Sequence, residues 1–94
     1  MDKKEARQLL EARFSEFRAI SYHDLLRLLD TDTTIEVDGA AGRHYSIETS
    51  VVWDSARDHR DLTVIVAIDD GGWRSFVPMT DSFIMAPDGS FVGE

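Results

Sequence analysis

The side chains with the most evident chemical capacity are carboxylates late in the chain and three dispersed histidines. Asp54, Asp58, Asp61 and Asp69 flank strand-like runs. Gathered at one sheet end, such acids share protons, orient water or hold a hard cation, and His59 would stand beside them as a base. That is the equipment of a small metal- or carboxylate-dependent hydrolase-like enzyme, built on the Asp54, Asp58 and Asp61 region. The rest of the pattern does not develop it. His23, His44 and His59 are too scattered for ligand spacing, and neither His-x-His nor His-Glu-x-x-His occurs. His59-Arg60-Asp61-Leu62 imitates a kinase catalytic loop, but Val66 stands where that loop needs Asn, and a chain of 94 residues is far too short for the kinase fold. Asp30-Thr31-Asp32-Thr33-Thr34 resembles the opening of a calcium loop without its turn glycine or its closing Glu, so these side chains are read as caps for backbone groups. No Ser lies by an evident base, and without cysteine there is no thiol nucleophile, disulfide or thiolate zinc site. Loop acids are ordinarily solvated. The sequence therefore assigns no catalytic, metal-binding or cofactor-binding residue.

Charge bears more directly on partners. The formal net charge is −8, and it is uneven: residues 1–29 hold six Lys or Arg against five Asp or Glu, whereas residues 30–94 hold four against thirteen. An acidic field repels phosphate backbones and anionic lipid, which argues against nucleic acid and membrane, and it attracts basic proteins. The N-terminus is charged, no run has the length and apolarity of a membrane span, and the expectation is a cytoplasmic protein.

Positioning elements follow from the hydrophobic period. Ala6, Leu9, Leu10, Arg13, Phe14, Phe17 and Ile20 recur at helical spacing behind Asp2, a good N-cap, so a helix is expected over about 3–19. Ser21 caps a second helix, about 21–29, with Leu25, Leu26, Leu28 and Leu29 as its apolar surface. The period then changes to two. Strands are expected at about 33–38, 43–54, 62–69, 73–80 and 82–85, the third and fourth forming a hairpin on the turn Asp69-Asp70-Gly71-Gly72. Tyr45, Ile47, Thr49, Val51 and Trp53 share one face, and Leu62, Val64, Val66 and Ile68 should join it in the core. Pro78 is expected at an edge or bulge because it has no N–H to donate. Helices first and strands after them argue an α+β fold: one domain over 1–94, two N-terminal helices on one face of a four- to five-stranded antiparallel meander.

That arrangement leaves a second face. Val52, Ile65, Phe76 and Ile84 lie on the side away from the helices, where an apolar cluster edged by charge marks an interaction surface. Val52, Ile65 and Phe76, with Asp69 and Asp70 at the rim, are the expected interaction residues. The function this favours is a non-enzymatic acidic binding or regulatory module, inhibitor- or immunity-like, taking a basic protein partner or a second copy of itself.

A resemblance accompanies these features. Gly39 to Tyr45 followed by Ile47-Glu48, then Ile68-Asp69-Asp70-Gly71-Gly72-Trp73, and above all the tail Pro87-Asp88-Gly89-Ser90-Phe91-Val92-Gly93-Glu94 resemble a family of short uncharacterised bacterial α+β proteins. The resemblance implies a shape, since its motifs are turns. It brings no activity, cofactor or catalytic residue.

Overall fold

Capping and periodicity set the first helix. In the computed structural model, which describes residues 2–71 and 78–94, α1 runs over Lys3–Arg18, and the Asp2 carboxylate accepts from the Glu5 amide at 3.0 Å. Ala6, Leu10 and Phe17 are buried along one stripe, with Leu9 and Phe14 partly buried beside them. Ser21 caps the next segment by accepting from the Asp24 amide at 3.2 Å. Here the structure corrects the expected second helix, because α2 spans only Tyr22–Leu26. Beyond it the amides of Leu28 and Leu29 reach back three residues, to the carbonyls of Leu25 and Leu26, so the chain tightens out of α geometry. Asp30 turns it with φ of 60° and donates its amide to the Val51 carbonyl at 2.8 Å. One long helix and one short turn of helix therefore stand where two helices were expected.

Among the described residues the sheet is a four-stranded antiparallel meander in the order β1 (Asp32–Asp38), β2 (His44–Trp53), β3 (Leu62–Asp69) and β4 (Met79–Met85). Side-chain alternation gives it two unlike faces. Tyr45, Ile47, Thr49, Val51, Leu62, Val64, Val66, Ile68, Phe83 and Met85 are buried under the helical layer, in which α1 rests mainly on β3 and β4. Of the expected core residues, Leu10, Phe17, Leu25, Ile47, Val64 and Val66 are buried, and Phe14 is partly buried, edge-on to Phe83.

The last hairpin differs from expectation. Ile68 pairs with Met79 and Leu62 with Met85, so the described partner of β3 is Met79–Met85, one strand across the expected boundary between 73–80 and 82–85. The Asp69 carboxylate accepts from the Gly71 amide at 2.8 Å, and Gly71 takes φ of 73°, so turn chemistry operates where it was read. Most of the expected strand 73–80 falls on residues 72–77, outside the described residues. The expected break near Asp81 is absent. Asp81 sits half-buried on the helix-facing side of β4, opposite Val66 in the ladder, and its carboxylate accepts from the Ser82 amide at 2.9 Å.

Candidate functional site

β1 and β2 build the polar part of the open face. Strand alternation directs Asp32, Thr34, Glu36 and Asp38 of β1 away from the helices, opposite Ser50, Glu48, Ser46 and His44 of β2. Cross-strand bonds follow this register: Ser50 donates its hydroxyl to Asp32 at 2.7 Å, and Ser46 donates to Glu36 at 2.8 Å. His44 lies between two acids, with Nδ1 2.7 Å from Asp38 and Nε2 3.0 Å from Glu36. Two acceptors at the two ring nitrogens favour the imidazolium, which donates from both. The Asp38 hydrogen bond, followed by the charges of both acids, raises the pKa of His44 above its ordinary value.

The apolar part lies at the other end of this face. Thr63 pairs with Val52 on one side and Ile84 on the other, and Ile65 is the next open-face residue along β3. Val52 and Ile84 are half-buried, while Ile65 is 38 % exposed. The structure thus brings the predicted residues Val52 and Ile65 together, with Ile84 as the third. Phe76 lies outside the described residues. Asp69 is half-buried on the same strand but four residues from Ile65, roughly 13 Å by strand rise, and Asp70 is half-buried beyond it. Asp32 is nearer, in the same register row as Ser50 and Ile65. Sequence reasoning missed Asp32, Glu36, Asp38 and Glu48 as a shared acidic field. The signal was present in the period of two along β1, where Ile35 and Val37 mark the inner face and their neighbours the outer one.

The carboxylate region does not assemble into a centre. Asp54 accepts from the Thr63 hydroxyl at 2.9 Å, Asp61 lies 3.8 Å from the Arg60 guanidinium, and Asp58 is exposed in the loop. His59 stacks on Trp53, ring centroids 4.9 Å apart and planes 8° from parallel. Among the described residues, no group of three or more His, Cys, Asp or Glu side chains is placed to hold a metal ion, and no helix is long and apolar enough to cross a membrane.

Two other polar clusters join distant parts of the chain. Glu5 accepts from the Ala40 amide at 2.8 Å, Arg43 Nε at 2.9 Å and the Tyr45 hydroxyl at 2.7 Å, tying the start of α1 to the β1–β2 turn. These donors, Arg43 foremost, hold its carboxyl down to about 2. Gly39 is required there, because a Cβ would overlap the Glu5 carboxylate and lie 2.8 Å from the Tyr45 ring. At the far end of α1, Arg18 grips Glu94 through two bonds of 2.8 and 2.7 Å and lies 3.7 Å over the Phe91 ring. Beside this pair, an open groove of about 420 Å³ runs past Ser21, Tyr22, Pro87 and Asp88. Two of its polar groups are engaged internally, Tyr22 donating to the Arg60 carbonyl and Asp88 accepting from Ser90. Comparisons of the chain with models of protein families, with curated proteins and with solved structures each return no match.

Proposed function

We propose that the protein is a non-enzymatic binding module whose open sheet face docks a basic protein. One observation carries this reading: the helices cover a single face, and the other carries the Val52, Ile65 and Ile84 patch at one end, with Asp32 in the row of Ile65 and Glu48, Glu36, Asp69 and Asp38 extending towards the other end, and with His44 as its one basic side chain among the described residues. An apolar centre supplies affinity through burial, while acids around it accelerate encounter with a positive surface and disfavour other partners. An inhibitor or immunity-like protein acting on a basic enzyme is one form of such a module. A second copy fits less well, since a face-to-face dimer sets these acids against each other.

A photo-crosslinking side chain at position 65 tests the reading in cells, with one on the exposed side of α1, at Gln8, as control. The expected result is an adduct at position 65 with a basic protein, weakened by salt in extracts and removed by Asp32→Asn with Glu48→Gln. Adducts with the chain itself alone, or adducts only from position 8, refute it.

A further inference from the structure

The meander has two edges, β1 and β4, and they are finished differently. In an antiparallel ladder the N–H and C=O of a residue point to the same neighbour, and successive residues alternate sides. The Val51 carbonyl accepts from Asp30 and the Arg43 carbonyl from Gly39, both on the β1 side, so odd residues of β2 bond towards β1. Asp54, an even residue, donates instead to the Asp61 carbonyl on the β3 side. Thr33, Ile35 and Val37 therefore bond to Thr49, Ile47 and Tyr45, and the backbone groups of Asp32, Thr34, Glu36 and Asp38 point outward. The same alternation carried across β3 turns Thr80, Ser82 and Ile84 outward on β4.

On β4 two of these groups are occupied. The Ile84 carbonyl accepts from the Val92 amide at 2.9 Å, and the Ser82 amide donates to the Asp81 carboxylate at 2.9 Å. On β1 the outward groups of Thr34 and Glu36 have no hydrogen-bond partner among the described residues. We propose that the outer edge of β1 receives a strand from the partner protein, completing a five-stranded sheet by strand addition.

Register and charge specify that strand. Its residues opposite Asp32, Thr34, Glu36 and Asp38 put their side chains on the open face, where basic residues meet the carboxylates. Those between them lie beside Thr33, Ile35 and Val37 on the inner face, where half-buried Ile35 and Val37 favour apolar side chains. The partner segment therefore alternates basic and apolar residues. A second copy does not meet this requirement. Antiparallel pairing of two β1 strands about Thr34, Ile35 or Glu36 sets Asp32 against Glu36, Asp32 against Asp38, or Glu36 against Glu36. The inference rests on the reading of the protein as a module for basic partners, and it adds the edge to the face.

The probe is a synthetic seven-residue peptide of alternating lysine and valine, lysine at both ends, matched by a peptide N-methylated at the lysines. Both carry the same charge, but the second lacks the amides that would face β1. Expected are slowed hydrogen exchange at Thr34 and Glu36 with the first peptide, and affinity lower by about tenfold or more with the second. Binding of the first peptide should survive Ile65→Lys, which disables the face without touching the edge. Equal affinities for the two peptides, exchange at Thr34 and Glu36 unchanged, or no binding at millimolar peptide overturn strand addition. None of these outcomes bears on the position-65 crosslink, which stands or falls on the face alone.

Discussion

Thr49 occupies a position that its chemistry makes costly, and Thr49→Val should stabilise the protein. The residue is 2 % exposed, lies between Val66 and Thr33 in the register, and its hydroxyl oxygen is shielded from solvent with no hydrogen-bond partner among the described residues. A hydroxyl that gives up water without replacement costs about 1–3 kcal/mol. Valine has the same branched shape, so the exchange opens no cavity and keeps the strand preference of the side chain. The expected gain is about 1–2 kcal/mol, which for a domain of this size raises the melting temperature by roughly 4–8 °C per kcal/mol. Urea denaturation should show a higher midpoint at unchanged slope, and Thr49→Ala, which removes a methyl as well, should lie below Thr49→Val. A valine variant less stable than the wild type refutes the reasoning, because the hydroxyl then has a partner in solution, such as an enclosed water.

Other substitutions test other parts of the fold. Phe17→Ala, at a buried position crossed by the Arg13 guanidinium 4.8 Å above the ring, should cost about 3–5 kcal/mol in chemical denaturation, and an unchanged midpoint would remove Phe17 from the core. Glu5 has a folded pKa of about 2 against an ordinary 4.5, so the stability it contributes is present above 4.5 and is lost as pH falls towards 2. Glu5→Gln should flatten that acid limb, and a limb of unchanged steepness counts against the hydrogen-bonded cluster. His44 behaves oppositely: its raised pKa makes its contribution full below 6.5 and lost as pH rises through the folded value. Ring-proton titration by NMR should move to lower pH in Asp38→Asn, and an unmoved curve would dissociate His44 from Asp38.

Periodicity made most of the architecture legible. The switch from three-and-four spacing to alternation after Thr34 marks where helix gives way to sheet, and the same alternation separates Ile47 and Val64 from Val52 and Ile65. What stayed hidden depended on contacts between distant residues. The run of leucines after Ser21 carries helix propensity as far as Leu29, and only the bond from Asp30 to Val51 reveals why the chain leaves the helix at Leu26. Asp81 reads as an interruption until the ladder is seen to carry it, opposite Val66 of β3. The site was half legible for a similar reason. Val52 and Ile65 follow from alternation within a strand, and the same alternation turns Asp32, Glu36 and Asp38 outward, but joining them with Glu48 into one field takes the register of β1 on β2.

The packing of α1 also bears on how the chain emerges during synthesis. Each strand of the meander pairs with the strand made just before it, so the sheet can assemble progressively as the ribosome delivers it. The helix cannot do likewise. It is made first, yet it rests mainly on β3 and β4, the last elements to appear. Until Leu62 and the residues after it are available, Leu10, Phe14 and Phe17 lack most of the strand layer that covers them, and a nascent chain that has reached only the β1–β2 turn carries this apolar stripe in the open. The mixed charges of α1, with Lys3, Lys4, Arg7, Glu11 and Glu16 around the stripe, keep the waiting helix hydrated on its other sides.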